Sequence, residues 1–306
     1  MLRWITGSVA ALLSFAAAAQ PLDRAMLSVV SVLPQWPRDA TRLAEPEGSG
    51  VVMFEGRTIV TTLHVVDKAL SIQVRTIAGD IFPARLTGRD RASDIATLAV
   101  DKPLPAIKLA PVESRLGDKV CAIGNAFGLG LSVSCGVVSG IHRAGMGFNR
   151  VEDFIQTDAA VNPGASGGAL VNERGEFTGM LSAIFTKTSD ANIGVNFAVS
   201  AVLTGAVARQ LRDTGRVKRP ISGMRLEPFP GKGKTGRLGA RVLSLRPGLL
   251  GERAGLKKGD IILKAGGRRV RKPQDFISAM SRLLYADALD IEIERDGVMH
   301  TLGIVK

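Results

Sequence analysis

A serine sits inside a glycine-rich bend, Asn162-Pro163-Gly164-Ala165-Ser166-Gly167-Gly168, which runs into the apolar pair Ala169-Leu170. A bend of this kind can expose the Ser166 hydroxyl while neighbouring backbone N–H groups converge on one point. Acyl transfer needs that pairing, a nucleophile together with donors aimed where a carbonyl oxygen becomes an anion. On this reading the donors are the N–H groups of Gly164 and Ser166. Gly-x-Ser-Gly-Gly is only moderately specific, and a plain tight turn is the alternative. Serine is also inert without a base, and the chain has 3 histidines. His64 lies in the apolar run 59–66, where a rigid strand would fix its imidazole. His142 beside Arg143 and His300 near the C-terminus read as exposed or packing residues.

An imidazole base in turn needs a carboxylate that sets its tautomer and stabilises the imidazolium. Asp94 directly precedes the alternating apolar segment 95–100, which can hold it at a barrel edge. Asp67, Asp80 and Asp90 are rivals that read as turn or surface residues. The chain order His64, Asp94, Ser166 is that of chymotrypsin-type enzymes, not of subtilisins or α/β-hydrolases.

These groups must be positioned by many short strands. Turn residues separate β-type runs at 27–33, 50–54, 58–62, 72–77, 95–100, 119–123, 132–138, 169–171, 179–184 and 195–199, which argues an all-β barrel or sandwich. A helical run at 201–212 closes the region, and a charged stretch ending at Pro220 reads as a linker. From 220 onward, strands at 240–245, 261–265, 289–295 and 299–305 and an amphipathic helix at 273–284 make a small α+β module. Two domains also suit 306 residues, of which 45% are hydrophobic and 22% charged. The Gly231-Lys-Gly-Lys-Thr-Gly236 run mimics a phosphate loop, but Pro228 stands where that loop needs glycine, so nucleotide binding is rejected. No cofactor and no metal enter the reading.

With these segments laid out, the chain resembles the Deg/HtrA family of secreted serine proteases from about Ser28 to Lys306. The resemblance rests on Gly48-Ser49-Gly50, on 59–66, 93–100 and 122–130, on Gln156-Thr157-Asp158-Ala159-Ala160-Val161-Asn162-Pro163-Gly164, on 166–170 and on 193–199. It implies a mainly β fold: a chymotrypsin-like double β-barrel over 20–213, a linker over 214–219 and a PDZ domain over 220–306. It further implies an ATP-independent serine endopeptidase acting on unfolded or misfolded proteins, with His64 as general base, Asp94 as its orienter and Ser166 as nucleophile. Val195 and Phe197 fall where the family lines its specificity pocket, which implies small aliphatic residues before the cut. Arg219-Pro220-Ile221-Ser222-Gly223-Met224 resembles the PDZ carboxylate loop, so the N–H groups of Ser222, Gly223 and Met224 would receive a peptide C-terminus. A chaperone or scaffold with a misaligned triad, or a PDZ adaptor with a vestigial barrel, are the rival readings. Ala165 replaces an asparagine common before the serine, and the 140–152 loop is where relatives sense activators. The segment 20–37 lacks the aromatic cluster through which many relatives trimerise, so a homo-oligomer is left open and a trimer is not expected.

The N-terminus, Met-Leu-Arg followed by an apolar stretch to Ala19, describes a secretory signal cleaved after Ala19. A retained anchor is the alternative. An exported, periplasmic location follows. Cys121 and Cys135 flank a hairpin in which Gly124 would face Ser132 and Cys121 would face Cys135, so a disulfide and two buried thiols are both open. Charge is uneven. Residues 214–306 hold 20 basic and 9 acidic side chains, net +11 of the chain's +12. Solvated charge is the plain reading, and an anionic membrane surface is the partner such charge would suit. Nucleic acid is not expected behind a secretion signal with 5% aromatics.

Overall fold

The computed structural model describes residues 20–37, 47–184, 194–231 and 237–306. The segment at 1–19, read as a secretory signal, and the lysine-glycine run at 232–236 lie outside the described residues. A short helix α1 (Pro21–Met26) leads into the first barrel, built from β1 (Val29–Gln35), β2 (Gly48–Met53), β3 (Thr58–Thr62), β4 (Ser71–Arg75), β5 (Ile81–Asp90) and β6 (Ile95–Ala99). These strands close in the order β1-β2-β3-β6-β5-β4, and a single helical turn α2 (Leu63–Val66) follows β3. The second barrel contains β7 (Lys119–Gly124), β8 (Ser132–Arg143), β9 (Phe154–Thr157), β10 (Ala169–Asn172), β11 (Phe177–Ile184) and β12 (Asn196–Ser200), closed as β10-β11-β12-β9-β8-β7.

Strands β2 and β3 are buried along their whole length, because both of their faces are covered. Val52 and Ile59 point into the first barrel with Val30 and Leu98. Their neighbours Val51 and Val60 point into the layer between the barrels, against Ile123, Phe154, Ala169 and Met180. Each such side chain contributes about 1.5–3 kcal/mol when removed from water, so the inter-barrel layer binds the two barrels into one core. Helix α3 (Ala201–Thr214) starts at Ser200, whose side chain accepts the Leu203 N–H, and ends at the left-handed Gly215. It lays Leu203, Val207, Ala208 and Leu211 onto the same layer.

The remaining chain folds as β13 (Met224–Phe229), β14 (Gly239–Leu245), α4 (Leu250–Arg253), β15 (Ile261–Ala265), β16 (Arg268–Arg269), α5 (Pro273–Met280), β17 (Ala288–Arg295) and β18 (Val298–Val305). Its sheet runs β13-β14-β15-β17-β18, with β16 paired to β15, and it has its own core around Ile262, Phe276, Leu283 and Ile291.

Several sequence expectations change. His64 is on the helical turn α2, not on a strand, and β8 continues to Arg143 where a loop was expected from residue 140. The strands β5 and β9 had no counterpart in the sequence reading. The 273–284 helix divides into α5 and a 3-10 turn, Ser281–Leu284. Cys121 and Cys135 face each other across β7 and β8, as Gly124 faces Ser132, and they are joined by a disulfide. No helix among the described residues is long and apolar enough to cross a membrane.

Candidate active site

Residue 94 grips the α2 turn at three points. The Asp94 carbonyl accepts the Leu63 N–H at 3.0 Å. Its Oδ1 accepts the His64 N–H at 3.0 Å, and its Oδ2 lies 2.6 Å from His64 Nδ1. Asp94 adopts a left-handed backbone, φ +56°, at the start of β6. That conformation turns the carboxylate back toward α2 instead of along the strand. The imidazole side chain stays 45% exposed while the carboxylate is 18% exposed. One ring edge is therefore tied to a shielded acid, while nearly half of the side chain reaches solvent.

Ser166 approaches the same region through backbone. Its carbonyl accepts the Ser49 N–H at 2.8 Å, and the Ser49 carbonyl accepts the Thr61 hydroxyl at 2.7 Å, three residues before His64. The Ser49 hydroxyl donates to the Gly164 carbonyl at 2.8 Å and accepts the Asn125 N–H at 2.8 Å. Ser49 thus pins the serine bend to β2, β3 and the loop after β7. In the sequence Gly48-Ser49-Gly50 carries only part of a resemblance, and nothing in its composition marks Ser49 as this joint. The bend needs glycine for space as well as conformation. A Cβ on Gly167, φ +87°, would fall 2.1 Å from the Ser49 carbonyl oxygen, and one on Gly164, φ +91°, would fall 2.4 Å from that of Asn125. Ser166 is half-buried, and its hydroxyl makes no side-chain hydrogen bond among the described residues. His64 and Asp94 are brought together directly, whereas Ser166 joins them through the Ser49–Thr61 relay.

The rival carboxylates have other duties. Asp67 pairs with Arg91 at 2.9 Å, and Asp80 lies exposed in a turn. Asp90 is not a surface residue. It is buried at the end of β5, where Arg219 forks onto both its oxygens at 2.7 and 2.6 Å and Ser93 bonds it as well. Burial pushes the Asp90 carboxyl up, but Arg219 and Ser93 outweigh it and hold the group below the usual carboxylate range. Arg219, read as the first residue of a carboxylate loop, thus anchors that loop to the first barrel. His142 is half-buried with Nδ1 3.0 Å from Asp153, and His300 is exposed on β18.

Phe197 on β12 is 2% exposed, with its ring 5.6 Å from both Phe154 and Phe148. Val195 is half-buried, and residues 185–193 beside it lie outside the described residues. Phe148 belongs to a turn held by one acid that the sequence did not flag. The buried Glu152 carboxylate accepts the N–H groups of Met146, Gly147, Phe148 and Asn149 at 2.7–3.0 Å. No side-chain pattern announces a carboxylate whose partners are all backbone. The same segment reaches the loop just before Asp94, since the Val151 N–H donates to the Ala92 carbonyl at 2.8 Å.

In the second domain Gly223, φ +74°, turns the chain so that its carbonyl accepts the Arg246 N–H at 2.8 Å, while the Ser222 carbonyl accepts that of Gly251 at 2.8 Å. The Met224 N–H reaches the Ser222 hydroxyl at 3.3 Å. Next to this turn, a cavity of about 270 Å³ between β13 and α5 is lined by Met224, Leu226, Phe276, Ile277, Met280 and Leu284, among others.

A trypsin-like peptidase domain model matches residues 48–180, and a PDZ domain model matches residues 210–305. The periplasmic serine endoprotease DegP of Salmonella typhimurium is 36% identical over 84% of this chain and 56% of its own length. That of Escherichia coli is 37% identical over 82% of this chain and 54% of its own. The chain spans about half the length of these curated relatives. Among solved structures, the HtrA-type protease AlgW with a tripeptide has 31% identity and a TM-score of 0.72, covering 93% of this chain and 95% of that one. A serine endoprotease from Yersinia pestis has 32% identity and a TM-score of 0.61 over 94% and 96%.

Proposed function

The chain belongs to the DegP/HtrA family of serine endoproteases, and from that membership we propose that it is itself an exported, ATP-independent endopeptidase of unfolded proteins. Asp94 holds the proton on His64 Nδ1, which leaves Nε2 to act as base. Nε2 takes the Ser166 hydroxyl proton as Oγ bonds to the scissile carbonyl carbon, and the N–H groups of Gly164 and Ser166 receive the oxyanion. Collapse breaks the C–N bond, with the proton on His64 passing to the leaving amine. Water then attacks the acyl-enzyme with His64 again as base, and release of the acid restores Ser166.

The observation that supports this most is the three-point hold of Asp94 on the α2 turn, with the imidazole 2.6 Å from the acid. The test is casein cleavage by the full chain and by Ser166→Ala. Loss of turnover with an unchanged fold is expected, and equal turnover by the variant refutes the assignment. A scaffold reading draws on the unengaged Ser166 hydroxyl, although catalytic hydrogen bonds are often long until substrate binds. Labelling of the wild type by a fluorophosphonate separates the two readings.

Val195 and Phe197 would set a preference for small aliphatic residues before the cut, discriminating by roughly 1–3 kcal/mol per methylene. The domain at 220–306, beyond a linker at 214–219, would take peptide C-termini on the exposed edge of β13, with Ser222, Gly223 and Met224 as the carboxylate donors. The apolar cavity beside β13 supports this, and a ligand carboxylate would displace the Ser222 hydroxyl from Met224. Periplasmic relatives support an exported location.

A further inference from the structure

Neither proteolysis nor peptide capture uses the positive charge of the second domain, and part of that charge is gathered in one place. A cleft of about 530 Å³ opens between β8 and the β16–α5 edge of the PDZ domain. His142 and Arg143 line it from the barrel, and Arg268, Arg269 and Arg271 line it from the other side. Asp275 is the one carboxylate among the described residues of this lining; Arg271 engages its Oδ2 through N–H and Nε at 2.9 and 3.3 Å, while its Oδ1 is buried without a hydrogen-bond partner. Arg268 is partly committed, with Nη1 3.2 Å from Asp153 and Nη2 2.7 Å from Glu113, but its Nε is buried with no acceptor. Among the described residues Arg143 donates only to the neutral amide oxygen of Gln156, at 3.1 Å. Arg269 is exposed and makes no ion pair among the described residues. Two guanidinium charges therefore stand uncompensated at one concavity, beside a third with an unsatisfied N–H.

The backbone favours this arrangement. A Cβ on Gly140 would fall 2.6 Å from Arg143 Nε, so glycine there lets the arginine fold over its own strand. Gly266 and Gly267, φ +56° and +77°, turn β15 into β16 and bring Arg268 and Arg269 to the rim. Beyond Arg269 the positive lining continues into a second cavity of about 250 Å³ with Arg237 and Lys264, where Glu292 is held by Lys264 at 3.0 Å.

We infer that this interdomain cleft binds phosphoryl anions arranged in a row, as in an oligophosphate chain or a patch of phospholipid headgroups. Planar guanidinium forks match phosphate oxygens two at a time, and a linear series of cations rewards a polyanion over a single ion. Because Arg143 comes from the barrel and Arg269 from the PDZ domain, an occupied cleft also ties the two together.

Calorimetric titration of the full chain at fixed ionic strength tests this, with tripolyphosphate and orthophosphate as probes. Saturable tripolyphosphate binding is expected, at least tenfold tighter than orthophosphate, because the longer anion offers several phosphoryl groups to several guanidinium groups at once. Arg143→Gln combined with Arg269→Gln should weaken it at least tenfold. Arg269→Gln alone, at an exposed position, should weaken it severalfold without altering the melting temperature. Arg85→Gln, on the first barrel, should leave it unchanged. Sedimentation with phosphatidylglycerol and phosphatidylcholine vesicles identifies the source. Binding to the anionic vesicles that tripolyphosphate competes away points to lipid, and oligophosphate binding without vesicle binding points to a soluble chain. No saturable binding of either probe, or binding indifferent to the Arg143 and Arg269 substitutions, overturns the site.

Discussion

Asp94 pays for its place with a left-handed backbone, a conformation that costs a non-glycine residue about 1–3 kcal/mol, and it is kept there by the bonds it makes to Leu63 and His64. Asparagine at this position can keep the N–H contact yet presents an amide where His64 Nδ1 needs an acceptor of fixed charge. Asp94→Asn should therefore lower kcat by about 10⁴-fold with the fold intact, the scale on which a serine-histidine pair suffers when its carboxylate is neutralised. Peptide hydrolysis kinetics measure it, and a loss below tenfold would remove Asp94 from the triad. Glu152 supports a different prediction. Hydrogen bonds to a charged group are worth about 1.5–3 kcal/mol each, so Glu152→Ala should free the 146–149 turn while the barrels stay folded. Faster amide exchange confined to Met146–Asn149, with lower kcat/KM, is the expected result; unchanged exchange there would mean the turn holds itself. The pairing of His64 with Asp94 was legible because acyl transfer restricts residue types. Ser49 and Glu152 were not, since a serine or a glutamate that serves backbone groups looks like any other.

The strands that carry the candidate site were readable wherever both faces are buried. Runs such as β2 and β3 are apolar on successive residues because they separate two cores. By contrast β5 contains Pro83 and sets the apolar Ile81 outward and the charged Asp90 inward, and β9 is only 4 residues long, so neither gave a signal in the sequence. The helical turn bearing His64 was hidden for a related reason, since the apolar run across 59–66 is the same for a strand as for a strand that ends in one buried turn. Glycines separate element-level constraints from slack. Gly167→Ala would push a methyl into the Ser49 carbonyl in a left-handed conformation and should cost at least about 2 kcal/mol, with turnover lost. Gly205→Ala, inside α3 with open space around the new methyl, should instead stabilise by about 0.5–1 kcal/mol. Paired chemical denaturation curves decide this, and equal midpoints for the two variants would contradict the packing described.

Across the whole molecule, the linkage between domains was the least legible part, because arginines that grip buried acids resemble solvated charge. Two such grips join the barrels to the second domain: Arg219 on Asp90, and Arg268 on Asp153 and Glu113. Asp153 also faces His142 and the hydroxyls of Ser200 and Ser278, the last on α5. Burial raises the Asp153 carboxyl, but His142, Arg268 and Ser200 overcome it and hold the group below its ordinary range, as Arg219 does for Asp90. A carboxyl depressed by docking stabilises the docked state above its free value, about 3.9, and loses that contribution as pH falls through the lower docked value. The domains should therefore stay docked from neutral pH to about 4 and separate below it, seen as an increase in radius of gyration by small-angle scattering. Arg219→Ala with Arg268→Ala should produce the same opening at pH 7, since each buried acid then loses the arginine that ties it across the domains. Separation already complete between pH 7 and 5 in the wild type would show that groups other than these carboxylates govern the contact.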